Sequence, residues 1–92
     1  MTRENSRLYK KALGFECRNT PDGYVIYGED GEYIHFLNIS AAIVFELCDG
    51  NHSDDDIVEY FQKSFGLKTK PSADIEACLV SLAREGLIIS FP

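Results

Sequence analysis

YIHFLNISAAIVFELCDG, Tyr33 to Gly50, is the stretch in which the chain changes its hydrophobic period, and that change decides the fold class. Tyr33 to Leu37 is rich in aromatic and β-branched residues and reads as a strand. From Asn38 onward the period is about 3.6, that of a helix, with Asn38 or Ser40 as its cap. Ala41, Ala42, Ile43, Val44, Phe45, Leu47 and Cys48 place apolar groups round nearly the whole circumference, broken only by Glu46. A helix apolar on all sides belongs in the centre of the core. Asp49, Gly50 and Asn51 end it.

Upstream, the pattern continues as strands. Phe15 to Asn19 is followed by the dense turn signal Thr20, Pro21, Asp22, Gly23, and then by Tyr24 to Tyr27. Gly28 to Glu32 turns the chain again, with Asp30-Gly31 supplying the positive φ of a tight hairpin before the strand at Tyr33. A three-stranded antiparallel meander is expected.

Downstream, two more helices are expected. Ser53 with Asp56 forms a capping-box pattern, and Asp54 and Asp55 lie favourably at the positive end of the second helix. Ile57, Val58, Phe61 and Phe65 are its buried stripe, and Gly66 its left-handed stop. Lys68 to Pro71 connects to a third helix, which Ser72 is expected to cap and which runs to about Glu85, with Gly86 as its stop. Ile75, Cys78, Leu79 and Leu82 share the core face of that helix. Glu76, Val80, Ala83 and Leu87 form a second strip at i, i+4, i+7 and i+11. That strip either lines a groove or packs under the terminal segment Leu87 to Phe91.

Ninety-two residues allow one domain, since two separate cores would each be marginal. The fold class that follows is α+β, a three-stranded antiparallel sheet followed by three helices. Residues 1–12 read as a flexible basic N-terminal arm and 13–92 as the folded domain. Arg3, Arg7, Lys10 and Lys11 are four of the nine basic residues, whereas from Leu13 onward there are five basic and fourteen acidic residues. So acidic a body is a poor binder of nucleic acid, whose affinity rests on Lys and Arg neutralising phosphates. It suits a basic partner surface.

No apolar run approaches the length of a membrane span, and the first residues lack the apolar stretch of a signal peptide, so a cytoplasmic location is expected. Cys17, Cys48 and Cys78 are odd in number and widely spaced, and with His35 and His52 they make neither a disulfide framework nor a zinc pattern; buried structural thiols are expected. No metal, cofactor or catalytic constellation is signalled. Asp54, Asp55 and Asp56 lack the spacing of a calcium loop, and no glycine belongs to a phosphate-cradling motif.

Leu37-Asn38, Ala41-Ala42, Glu46-Leu47-Cys48-Asp49-Gly50, Ser53, Ile57 and Phe65, continued by Asp74-Ile75, Leu79, Leu82 and Gly86-Leu87-Ile88, resemble the PqqD-like family. The resemblance runs from about Tyr24 to Ile88. It implies a winged-helix-like arrangement and a RiPP recognition element, which binds the leader segment of a ribosomally made precursor peptide. It implies that the leader adds as a strand beside the third strand, in a groove shared with the third helix. By that resemblance Tyr33, Ile34, His35 and Phe36 offer the strand edge, and Glu76, Val80 and Ala83 the facing wall. The implied partner is a separate modifying enzyme, often a radical S-adenosylmethionine protein.

Two rivals share the architecture. A winged-helix DNA-binding domain needs a basic recognition helix, whereas Ser72 to Glu85 holds Asp74, Glu76 and Glu85 against Arg84 alone. A structural accessory subunit, or a homodimer paired through the exposed strand, would occupy the same edge that a leader needs.

Overall fold

The computed structural model describes residues 7–91, and of Tyr33 and Ile34 the backbone alone. Its elements in chain order are β1 (Leu8–Lys11), β2 (Phe15–Thr20), β3 (Gly23–Gly28), β4 (Tyr33–Asn38), α1 (Ile39–Leu47), β5 (Asp49–Ser53), α2 (Asp54–Ser64), α3 (Ser72–Arg84) and β6 (Ile88–Phe91). The class is α+β, as expected, with three helices and two small antiparallel sheets, ordered β2-β3-β4 and β5-β1-β6. A single sheet followed by three helices is therefore too simple.

The first sheet is the expected meander. Phe15 pairs with Gly28 through to Thr20 with Gly23, and Gly23 with Asn38 through to Ile26 with His35. The register then slips, Tyr27 facing Tyr33, so that Ile34 is the extra residue of a bulge. In the β3–β4 turn the Gly31 N–H donates to the Gly28 carbonyl at 3.0 Å, and Gly31 alone takes the positive φ, 84°. At the other turn Gly23 has φ 147°, and a Cβ there would overlap the Leu37 carbonyl oxygen, so strands β3 and β4 approach closely only because glycine stands at that position.

The second sheet corrects the reading of the N-terminus. Leu8 to Lys11 is the central strand, with Leu8 opposite Ser53 and Phe91, and Lys11 opposite Ile88. Ala12 N–H donates to Leu87 O at 2.9 Å, and Asp54 N–H to Arg7 O at 3.2 Å. The basic side chains are used internally: Lys11 Nζ lies 2.8 Å from Glu46 Oε1 and 5.1 Å from the Phe45 ring centre, and Lys10 Nζ 5.7 Å from that of Phe91. The part of the proposed arm that precedes Arg7 lies outside the described residues.

The core lies between these sheets and the helices. Phe45, Ile26, Ile57, Leu87, Ile88, Val44 and Cys48 are fully enclosed. Burying each large apolar side chain stabilises the fold by roughly 1.5–3 kcal/mol before entropy is counted. Asn38 is the cap of α1, its Oδ1 accepting from Ala41 N–H at 2.9 Å. Ser53 and Asp56 close a reciprocal capping box at 3.1 and 2.9 Å. Ser72 does not cap α3: Pro71 occupies the cap position, makes no side-chain bond, and its carbonyl accepts from Ile75 N–H.

Candidate functional site

In the order β2-β3-β4 the outer strand β4 has a hydrogen-bonded neighbour on one side only among the described residues. Such an edge presents a row of N–H and C=O groups to whatever lies beside it. Side chains alternate along it. His35 and buried Leu37 point toward the helices, while Phe36, opposite Val25 and 47% exposed, lies on the other face.

Helix α1 packs against β4, and one flank of α3 reaches the strand at His35. His35 Nε2 lies 3.2 Å from Glu85 Oε2, linking the middle of the strand to the end of α3. Farther along that flank Cys78 and Asp74 border an apolar cavity of about 380 Å³, also lined by Ser40 and Val44 of α1, Phe61 of α2, Phe65 just past its end, and Leu67, Pro71 and Ile75. Strand β4 leads into α1 at its cavity end, so β4 and α3 run in opposite directions along the groove. Asp74, Cys78, Ser81 and Glu85 fall at i, i+4, i+7 and i+11, which is one line on a helix.

Glu76, Val80 and Ala83 lie on the other flank of α3. Glu76 borders a smaller cavity of about 80 Å³ with Tyr9 of β1, Asp54, Asp55 and Val58, beside the second sheet. Val80 and Ala83 are exposed and follow Glu76 on the same line of α3, whereas Leu87 is buried in the core. At roughly 100° per residue, Val80 is about 140° round the helix from Glu85. The structure therefore brings His35 to the groove but places Glu76, Val80 and Ala83 on the opposite flank. The terminal segment pairs with β1 as β6, and Val80 is 48% exposed. Of Tyr33 and Ile34 the strand position alone is described.

Phe65, expected in the buried stripe of the second helix, borders the cavity instead, beside Leu67, and the polar line that includes Glu85 is the sequence signal for this flank of α3. Phe65 and Leu67 are 53% and 40% exposed, neighbouring apolar side chains beside the cavity.

The same geometry bears on chemistry. Cys48 is enclosed, its Sγ donates to Val44 O at 3.2 Å, and burial above all, with Cys78 second, pushes its thiol up to about 12. Cys78 is half-buried and burial raises it too. Neither is a ready thiolate nucleophile. Cys17 departs from the expectation of buried thiols: it is exposed on β2. Asp49 Oδ1 lies 2.9 Å from His52 Nδ1, and that contact, with the Asn51 N–H, holds its carboxyl below the usual range. Among the described residues no group of three or more His, Cys, Asp or Glu could hold a metal ion. No helix among them is long and apolar enough to cross a membrane.

A family model described as coenzyme PQQ synthesis protein D (PqqD) matches residues 23–88, which is most of the chain and spans β3, β4 and all three helices. The chain belongs to the PqqD family. No curated protein and no solved structure matches it. The PqqD match begins at Gly23, the glycine that lets β3 approach β4, and ends at Ile88, the first residue of β6. It thus contains both walls of the groove and leaves strand β1, the centre of the second sheet, outside.

Proposed function

We propose that this PqqD-family protein is a non-catalytic accessory of peptide modification, which binds the leader of a ribosomally made precursor and presents it to a separate enzyme. The observation that carries the reading is the one-sided strand β4 beside an apolar cavity, both within the family match. An extended leader adds to β4 through main-chain hydrogen bonds, and its alternate side chains enter the groove between β4 and the Asp74–Glu85 flank of α3. Tyr33, Ile34, His35 and Phe36 form the receiving edge. Asp74, Cys78, Ser81 and Glu85 take the place of Glu76, Val80 and Ala83 as the facing wall.

Main-chain pairing supplies affinity whatever the sequence, while the cavity selects. A single added strand buries less than a standard interface, and a dissociation constant on the order of micromolar follows. The partner enzyme, a radical S-adenosylmethionine protein in the family's usual arrangement, acts in the cytoplasm where the precursor is made. Duplex DNA is disfavoured, because the helix that would enter its groove carries Asp74, Glu76 and Glu85.

The test is modification itself. With the precursor and enzyme from the same gene neighbourhood, omitting this protein abolishes or strongly slows product formation, and a leaderless precursor is no longer stimulated by it. Undiminished modification without the protein contradicts the proposal and favours a purely structural subunit.

A further inference from the structure

The groove has two chemically different ends, and the rise of α3 sets their separation. One end is the apolar cavity bordered by Asp74 and Cys78; the other is the Glu85 carboxylate beside His35. Along α3, the midpoint of Asp74 and Cys78 lies nine residues before Glu85, about 13.5 Å at 1.5 Å per residue. An antiparallel strand advances about 3.4 Å per residue, so four residues span about 13.6 Å. Four is even, so both side chains project from the same face of the guest.

We infer, on the strength of the leader-binding reading above, that the groove recognises an extended peptide with a large apolar residue at i, seated in the cavity, and a Lys or Arg at i+4, seated at Glu85. The order follows from strand direction. The cavity lies at the C-terminal end of β4, and an antiparallel guest, the slightly more stable pairing, meets it first. The charge follows from the walls. Glu85 is half-exposed, and the His35 contact at Oε2 does not exhaust a carboxylate with about four acceptor sites. Asp74 adds a second negative charge at the cavity rim, and the chain from Leu13 onward is strongly acidic, so an acidic guest residue here meets like charge. An apolar guest residue in the cavity covers Phe65 and Leu67, which are otherwise left in water.

The experiment selects from a displayed library of random dodecapeptides on the full-length protein, followed by the same selection on Glu85→Gln. The expected result is enrichment of Phe, Leu or Ile paired with Lys or Arg four positions later. In Glu85→Gln the basic preference disappears while the apolar one persists, and an Arg-to-Gln change at i+4 in a selected peptide weakens binding to the unaltered protein about tenfold. Enriched peptides that shift the β4 amides but show no i, i+4 coupling, or the reversed order, overturn this inference and leave the leader-binding reading standing. Enriched peptides that leave the β4 amides unmoved, or no enrichment at all, overturn both.

Discussion

His35 on β4 and Glu85 at the end of α3 meet at 3.2 Å across the groove, the contact that shows which flank of the helix the strand edge faces. Both side chains are partly exposed, and the pair is an ion pair only when the imidazole is protonated, so it contributes little to stability. Glu85→Gln is expected to cost less than about 1 kcal/mol in urea unfolding while altering peptide affinity. A large loss of stability would mean that the pair is structural.

The two flanks of α3 make opposite predictions. Val80→Glu places a charge on the side that faces away from β4, so leader affinity is expected to stay within about twofold. Phe65→Glu places a charge at the rim of the apolar cavity and is expected to weaken binding tenfold or more, about 1.4 kcal/mol. Both positions are about half-exposed, so circular dichroism and melting curves close to those of the parent protein are expected to accompany the binding data. Loss of binding in Val80→Glu with Phe65→Glu unaffected would restore the other wall.

Gly23→Ala tests how the receiving strand is held. The added methyl group meets the Leu37 carbonyl, and the φ of 147° is strained for any L side chain. A loss of roughly 1–3 kcal/mol is expected, measured by the denaturation midpoint. An unchanged midpoint would show that β3 and β4 have freedom to separate.

Alkaline pH should weaken the fold in part through Cys48. Its thiol, ordinarily near 9.0, is pushed up to about 12 by burial, so the unfolded chain releases that proton first. The stability it contributes is fully present below about pH 9 and is lost as pH rises toward about 12. Tyr9, Tyr24 and Cys78 are raised as well, chiefly by burial, and act in the same direction. Urea unfolding under reducing conditions is expected to show stability falling above pH 9, less steeply in Cys48→Ala; equal slopes would mean that the thiol is open to solvent.

Much of the fold was legible because local signals agreed with one another. Asn38 at the change of period, Ser53 with Asp56, and the glycines at 31, 66 and 86 each mark an element boundary that the structure keeps, with positive φ at all three glycines. The second sheet was not legible. Leu8 to Lys11 carries two lysines, and Asp49 to Ser53 reads DGNHS, a run of turn formers. Both are strands because main-chain groups far apart in sequence pair across β1, and no local propensity announces such pairing.

The site was half legible for a related reason. A strand edge at Tyr33 to Phe36 follows from the meander, since the third strand of three lies outermost. Which flank of α3 faces it depends on how that helix rolls on the core, and Ile75, Leu79 and Leu82 define the buried line without saying what stands on either side. The strip Glu76, Val80, Ala83 and the line Asp74, Cys78, Ser81, Glu85 have the same spacing. Only the position of β1 beside Glu76, through Tyr9, and of His35 beside Glu85 separates them.

Amide hydrogen exchange of the isotope-labelled protein, with and without the leader peptide, tests the central claim most directly. Strand addition predicts new protection and shifted resonances for outward-facing amides of β4 between Tyr33 and Asn38, with accompanying shifts at Cys78 and Glu85 and none at Val80 or Ala83. Protection confined to β1 and β6, with β4 exchanging as before, would contradict it.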